Sequence, residues 1–539
     1  MILGEMRLSG WMFLAISWAL VSLEGAASHR DQPLSRIVID RAVVAPEDRA
    51  FVKASPSILG LGWAKTLNGA STCLPENPRT GPPFLCTAPI KYQYANYTNP
   101  KYKDNGKGML KLQLIKQRSD FSFVLFSGRL SNPKLVAVSN TITFANPNSP
   151  VYPRLAQGKM WNEMTVTWTS GYGINEAEPF VEWGPQGGEQ RQSPAGTLTF
   201  DRNSMCDAPA RTVGWRDPGF IHTSFLKELD MGKDEADGSN EYNNFQHGSL
   251  NTTKQLIRDL ENIDIVFHIG DICYANAIFR SGINLLHKLS QLPQLCLTWL
   301  RGFGNHERDW PGTGSFYGNM DSGGECGVLA ETMFYVSAEN RDKFWLYSTD
   351  YGMFRFCIAD TEHDWREGTE QFNFIQHCLA SVDRQKQPWL IFLAHRVLGY
   401  SSVDWYADEG SFEEPMGRES LQKLWQKYKV DIAIYGHVHN YERTCPIYQK
   451  HYYKGGLNGT IHIVAGGGAD FTSLQTKWSV FKDHDYGFVK LTAFDHSNLL
   501  FEYKKSRDGN VYDSFRISRD YRDILACTVD SCPSTTLAS

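Results

Sequence analysis

Two rhythms of hydrophobic and polar positions divide the chain. From about Ile37 to Ala145, short alternating runs such as Lys111-Leu-Gln-Leu-Ile and Phe121-Ser-Phe-Val-Leu-Phe are separated by Gly, Pro and Asn. Alternation marks strands with one buried face, so this stretch predicts a small antiparallel β domain. A second β-rich region starts near Pro153, with Met164-Thr-Val-Thr-Trp-Thr and Pro179-Phe-Val-Glu-Trp as strands. Together they predict two sandwich-like modules. After residue 230 the apolar runs become continuous, at Ile263–Ile269, Phe354–Ala359, Trp389–Ala394, Val430–Tyr435 and Ile461–Ala465, with helical stretches such as Gly417–Tyr428 between them. Strands apolar on both faces need cover on both, which predicts a layered α/β domain. Phe488–Ile517 returns to alternation, with Asp508-Gly509 as a hairpin turn.

Composition narrows the class. Of 539 residues, 42% are hydrophobic and 21% charged, which is ordinary for a globular protein. The mean hydropathy of −0.38 excludes a multi-span membrane protein. A net charge of −5 argues against a nucleic-acid polymer as partner. Residues 1–27 predict a secretory signal: Arg7 is the positive flank, Trp11–Leu23 the apolar stretch, and Gly25-Ala26-Ala27 the small residues before a cut. The run is shorter than the ~20 residues that span a bilayer, so no membrane attachment is expected after its removal. In a secreted chain, Asn96, Asn251 and Asn458 are candidate glycosylation sites. Eleven cysteines are present. Cys73 with Cys86, and Cys527 with Cys532, are close enough to pair, but spacing leaves connectivity open.

The chemistry gathers where buried strands end. Ile263–Ile269 runs into Gly270-Asp271-Ile272-Cys273-Tyr274, and Gly304-Asn305-His306-Glu307 forms a further junction. Trp389–Ala394 delivers His395, and Val430–Tyr435 delivers Gly436-His437-Val438-His439. Asp230 lies upstream in Asp230-Met231-Gly232. In open α/β sheets, ligands bind beyond the carboxyl ends of strands. Two Asp, one Tyr, one Asn and three His offer oxygen and imidazole donors enough for two hard or borderline cations. Asp271 is the natural bridge, one carboxylate oxygen to each ion. Clustered without metal, Asp271, His395, His437 and His439 would be costly core residues.

This ordered set resembles the metallophosphoesterases, and with Tyr274 it looks like a large-class plant purple acid phosphatase. Thr212-Val-Gly-Trp-Arg-Asp-Pro-Gly-Phe-Ile-His-Thr, Gly304-Asn-His-Glu-Arg-Asp-Trp-Pro-Gly-Thr-Gly-Ser and Ala359-Asp-Thr-Glu-His-Asp-Trp resemble its nucleotide pyrophosphatase/phosphodiesterase-like subgroup. The resemblance covers residues 40–539. It implies a signal at 1–27, an N-terminal β domain at 28–150 and a truncated fibronectin III-like domain at 151–229. A four-layer α/β metallophosphoesterase domain would follow at 230–490, with a C-terminal segment at 491–539. It implies Fe(3+) on Asp230, Asp271, Tyr274 and His439, and a divalent metal (Zn, Mn or Fe) on Asp271, Asn305, His395 and His437. A trivalent ion favours phenolate at Tyr274 and strongly lowers the pKa of bound water, which suits hydrolysis in acid. Asn305 and His306 would contact the phosphate, with His306 as hydrogen-bond donor or acid to the leaving group. His363 is as much a candidate hydrogen-bond partner as a substrate contact. The implied protein is an acid phosphatase of the cell exterior, wall or vacuole. Its substrates would be phosphate monoesters and, further, nucleotide diphosphates or phosphodiesters. A homodimer is an assembly this reading allows.

The sequence also departs from the family pattern. Leu229 stands before Asp230, where an apolar strand ending in Gly is expected, so the strand that should lead into Asp230 is missing. Ile278–Gly302 is Leu-rich and resembles a shifted reading frame. Shortening is further expected near Gln449–Tyr453 and Gly468–Ser473. No His lies between His395 and His437, where relatives hold substrate oxygens; Arg396 or Tyr400 are the stand-ins to examine. The alternative function is therefore a catalytically impaired, phosphatase-like, metal-binding glycoprotein. A third is a glycoprotein acting through its β modules alone.

Overall fold

The computed structural model describes Arg118, the strands at 51–56, 91–94, 121–129 and 132–138, and most of the chain from 144 onward. The later described stretches are 144–158, 163–184, 189–211, 217–227, 247–259, 262–271, 298–334, 347–403, 418–449, 451–452, 459–467, 476–520 and 536–538. The signal at 1–27, Asp230, Tyr274, Asn96, Asn458, Cys73, Cys86, Cys527 and Cys532 lie outside the described residues. No helix among the described residues is long and apolar enough to cross a membrane.

The alternating runs at Phe121–Phe126, Met164–Thr169 and Phe180–Trp183 are strands, while the run at Lys111–Ile115 lies outside the described residues. The first module is an antiparallel sheet of β1 (Phe51–Pro56), β2 (Lys91–Tyr94), β3 (Phe121–Arg129) and β4 (Asn132–Val138), in the order β2-β1-β3-β4. The second holds β5 (Val151–Gln157), β6 (Glu163–Ser170), β7 (Phe180–Trp183), β8 (Arg191–Leu198) and β9 (Phe220–Lys227), in the order β5-β6-β9-β8-β7.

The α/β domain contains α1 (His247–Arg258), β10 (Ile265–Ile269), β11 (Thr298–Gly302), α2 (Asn305–Arg308), α3 (Val328–Met333), β12 (Tyr347–Tyr351) and β13 (Phe354–Ala359). It continues through α4 (Glu370–Ala380), β14 (Trp389–Ala394), α5 (Arg418–Tyr428), β15 (Ile432–Tyr435), β16 (Tyr441–Thr444), β17 (Ile447–Tyr448) and β18 (His451–Tyr452). Its last strands are β19 (Ile461–Ala465), β20 (Ser479–Asp483), β21 (Gly487–Ala493), β22 (Asn498–Lys505), β23 (Val511–Ser518) and β24 (Thr536–Ala538). A seven-stranded sheet runs β12-β13-β14-β15-β19-β16-β20, with β13, β14, β15 and β19 parallel.

Alternate residues of these central strands serve two cores, which is why they read as continuous apolar runs. Leu390, Phe392 and Ala394 pack with Phe372, Ile375 and Leu379 of α4 and Leu421, Leu424 and Trp425 of α5. Ile391 and Leu393 face the other way, onto Leu499, Phe501 and Tyr503 of β22. That second layer consists of the parallel pair β10–β11 and the antiparallel β21–β22–β23–β24. Helix α1 covers it from outside: Asp259, just past the helix, pairs with Lys504 at 2.5 Å and Lys490 at 3.6 Å. The result is the four-layer α-β-β-α arrangement.

The second layer is interrupted. Strands β10 and β21 both pack on the same core, through Ile265, Phe267 and Ile269 and through Val489, Leu491 and Ala493. Among the described residues β10 pairs with β11 alone and β21 with β22 alone, and both strands stay half-buried throughout. The expected missing strand before Asp230 falls on residues outside those described. Conversely Thr298–Gly302, inside the segment that reads as off-pattern, forms β11 in register with Ile265–Ile269. Two disulfides were not foreseen, Cys206–Cys326 and Cys357–Cys378.

Candidate metal centre

Four strand ends converge. Both β10 and β11 finish in glycine-containing turns that present Asp271 and Asn305; β14 and β15 finish at His395 and His437. The metal-ligating atoms of Asp271, His395 and His437 all lie within 4.8 Å of one another. Asn305 Oδ1 sits 3.0 Å from His395 Nε2 and 3.0 Å from His437 Nδ1. The backbone is contorted to achieve this: Asp271 and His437 have φ of 51° and 57°. For non-glycine residues that region is costly and clusters at functional sites.

Close packing explains the glycines. A Cβ on Gly304 would lie 2.2 Å from Asp271 Oδ1, and one on Gly270 2.3 Å from His395 Nδ1. Glu307, buried, accepts the amides of Asp271 (2.8 Å) and Gly304 (3.0 Å) and so ties the two turns together. His395 Nδ1 donates to the Ile269 carbonyl at 2.8 Å, a bond across the two β layers. That bond places a proton on Nδ1 and leaves Nε2, the nitrogen that a cation would take once its own proton is displaced, facing Asn305, Asp271 and His437.

Charge is arranged accordingly. Burial opposes a charge on His395, but the adjacent Asp271 carboxylate outweighs it and pushes His395 up to about 9. Burial would raise Asp271, yet His395 with His306 and His437 holds it well below the usual carboxylate range. Burial, with His395 and Arg396 nearby, drives His437 well down. His439 is lowered by burial, against the pull of Asp271. Two imidazole nitrogens 3.2 Å apart, His437 Nδ1 and His395 Nε2, beside a carboxylate and an amide oxygen form a donor set that fits a cation.

The predicted residues therefore divide. Asp271, Asn305, His395 and His437 meet at one point. His439 shares the turn with His437, and its field reaches Asp271, His395 and His306. His306 is half-buried beside them, its amide donating to Asp271 Oδ1 at 3.3 Å. Asn251 lies half-buried on α1.

Both proposed stand-ins for the absent histidines are corrected. Arg396 is buried against Glu362 at 2.8 and 3.0 Å and stacks on Tyr317, 3.7 Å from the ring centre. Tyr400 is 1% exposed and donates to Gln422 Oε1. Both side chains are engaged by protein partners within the core. His363 is structural: its Nδ1 meets Asp360 at 2.9 Å and its Nε2 lies 3.4 Å from Arg308.

Sequence reasoning missed the acids around the site, Glu307, Asp309, Asp321 and Glu362. Asp321 accepts from Asn305 Nδ2 at 2.8 Å, yet sits sixteen residues away in a glycine-rich loop. The only advance signal for Glu307 and Asp309 is their place inside the Gly304–Ser315 block.

Fold and donor set together define a metallophosphoesterase, and residues 230–441 match the calcineurin-like phosphoesterase family model. Residues 45–146 match the Fn3-like domain from purple acid phosphatase, on the first β module, and residues 459–514 the iron/zinc purple acid phosphatase-like protein C model. The chain is 60% identical to an Arabidopsis thaliana protein named probable inactive purple acid phosphatase 1, over 98% of this chain and 99% of that one. It is 63% identical to a Hordeum vulgare nucleotide pyrophosphatase/phosphodiesterase, over 58% of this chain and 87% of that one. A solved structure of purple acid phosphatase PPD1 from yellow lupin (Lupinus luteus) seeds matches at a TM-score of 0.76 and 64% identity, over 91% of this chain and 94% of that one. The chain belongs to the purple acid phosphatase family, whose centre is binuclear, generally iron with a second metal. The Arabidopsis alignment spans 610 residues, more than the 539 of this chain, so that relative carries stretches absent here.

Proposed function

We propose that the chain is a secreted, metal-dependent acid phosphatase acting on phosphate monoesters and on nucleotide diphosphates or phosphodiesters. The observation that carries this is the convergence of Asp271, Asn305, His395 and His437 on one point at four strand ends. As the family resemblance implies, these four would hold a divalent ion (Zn, Mn or Fe), and Asp271, Tyr274, His439 and Asp230 an Fe(3+) ion. Bound there, the pair would activate a water nucleophile and neutralise phosphoryl charge during in-line displacement. The chain's own groups do the positioning. Asp271 would serve both ions, His395 is held by its Nδ1 bond to the Ile269 carbonyl, and His306 would donate a hydrogen bond to the ester. Secretion, glycosylation at Asn96, Asn251 and Asn458, and homodimer formation complete the reading.

The test is metal content and hydrolysis of an aryl phosphate and a dinucleotide at acidic pH. The parent should hold two ions per chain and turn over. His437→Ala should lose about 100-fold or more in rate. Equal rates in the two proteins would exclude this site. Among the described residues β10 and β21 each have one edge without a partner strand, which favours a second reading, a metal-binding but impaired phosphatase, if the strand expected to aim Asp230 belongs there. One ion per chain, no colour and no turnover would select it.

A further inference from the structure

We propose that Asp321 is a positioning residue for the metal centre: its carboxylate fixes which end of the Asn305 amide faces the ion. The proposal rests on the metal-hydrolase reading of the site. An asparagine ligand has a problem that a carboxylate lacks. Its two ends are nearly the same shape, but only the oxygen binds a cation, and a flip presents an NH2 group instead. Here Asn305 Nδ2 donates to Asp321 Oδ2 at 2.8 Å, while Oδ1 faces His395 and His437 at 3.0 Å each. A flipped amide would set its oxygen against the Asp321 carboxylate and its NH2 toward the ion, both unfavourable.

Asp321 can do this because its loop is held on both sides. Upstream, buried Asp309 gathers the loop: its Oδ1 accepts the amides of Gly318 (3.0 Å) and Asn319 (3.2 Å) and the Ser315 hydroxyl. The Asp309 carbonyl accepts both the amide and the hydroxyl of Ser322, the residue after Asp321, at 3.1 and 2.9 Å. Downstream, Gly323 and Gly324 carbonyls accept the amides of Ala210 and Cys206, and Cys206–Cys326 closes the loop covalently. Arg396 supplies the counter-charge, 3.3 Å from Asp309 Oδ2 and 3.9 Å from Asp321 Oδ2, and is itself clamped by Glu362. The guanidinium next to His395 therefore serves the ligand set from behind, through two acids. Outer partners that orient metal ligands change affinity by about 10–100-fold when removed.

The test is equilibrium dialysis of the full-length protein against zinc, with parent, Asp321→Ala, Asp321→Asn, Asn305→Ala and the Asp321→Ala/Asn305→Ala double variant. Unfolding midpoints are measured alongside. Asp321→Ala should bind zinc about 10–100-fold more weakly with its midpoint near the parent's. Asp321→Asn, whose side-chain oxygen still accepts from Nδ2, should recover most of that loss. The double variant should be no weaker than Asn305→Ala alone, because Asp321 acts through Asn305. Unchanged affinity in Asp321→Ala, or additive losses in the double variant, overturns the positioning role and leaves the metal reading intact. A parent that binds no zinc overturns the metal reading, and the role with it.

Discussion

The donors of the site are held by contacts too tight for a single extra methyl, which gives a test at the residue scale. Gly304 has φ −109°, so alanine there costs nothing in backbone conformation. Its Cβ, however, would lie 2.2 Å from Asp271 Oδ1 and 2.8 Å from His395 Cε1. Gly304→Ala is therefore expected to push the two ligands apart. Zinc retention should fall about tenfold or more, with a stability loss of roughly 1–3 kcal/mol from overpacking. Unchanged retention in the dialysed variant would mean the donors are not set as described. The residues that converge, Asp271, Asn305, His395 and His437, were legible because strand ends and the Gly-Asp, Gly-Asn-His-Glu and Gly-His-Val-His blocks announce them. The acids that orient them were not. Asp321 meets Asn305 only because a glycine-rich loop turns back on itself, and Arg396 reaches two acids through the fold, not through spacing. Arg396 shows the converse failure: adjacent to His395 in sequence, it is buried against Glu362 and Asp309.

At the scale of elements, periodicity succeeded where burial is two-sided. The runs at Phe354–Ala359, Trp389–Ala394 and Ile461–Ala465 are strands to the residue, because helices cover one face and β22 with its neighbours the other. It failed where a partner decides. Thr298–Gly302 becomes β11 through parallel pairing with β10, although its surroundings read as off-pattern. Helix α1 carries half-buried Leu256 and Ile257 and is tied to the sheet by polar anchors such as Thr252 Oγ1 to Ser506 Oγ at 2.5 Å and by Asp259 with Lys490 and Lys504. Among the described residues no strand pairs with the second edge of β10 or of β21, which has a measurable consequence, since a strand without a neighbour leaves backbone groups unprotected. Outer-edge amides of β10 and β21 should exchange with deuterium through local opening. Amides of β14 and β15, paired on both sides, should exchange only on global unfolding. Equal protection in the two sets would show that another segment closes the edge.

Across the whole molecule, the second β module is fastened to the metal domain at the loop that carries Asp321. Cys206–Cys326 joins them, Arg154 Nε donates to the Met333 carbonyl at 3.1 Å, and Tyr152, Phe200 and Met205 pack on Leu329 and Met333. The module is thus a brace for the site, and its stability matters in the acid conditions proposed for catalysis. Each half buries a neutral histidine. His222, between the Ser170 and Thr197 hydroxyls, is lowered by burial to about 4. His462, stacked on Tyr435 and ringed by Tyr400 and Trp425, is lowered by burial and then by Arg418 to about 3. In both, the folded pKa lies below the unfolded value of about 6.5, so the unfolded chain takes up the proton first. Their contribution is intact above pH ~6.5 and is lost as pH falls toward the folded values. By linkage, His462 alone removes roughly 2 kcal/mol between pH 7 and pH 5, and His222 acts in the same direction. Buried Asp360, held low by His363 against desolvation, loses its contribution only below the ordinary carboxylate pKa of about 3.9, outside this window. Denaturant unfolding of parent and His462→Gln at the two pH values isolates the effect. The variant's stability should fall less on acidification, by about 2 kcal/mol. An identical fall in both proteins would mean that His462 is already protonated in the folded state, and that the aromatic ring around it holds a cation.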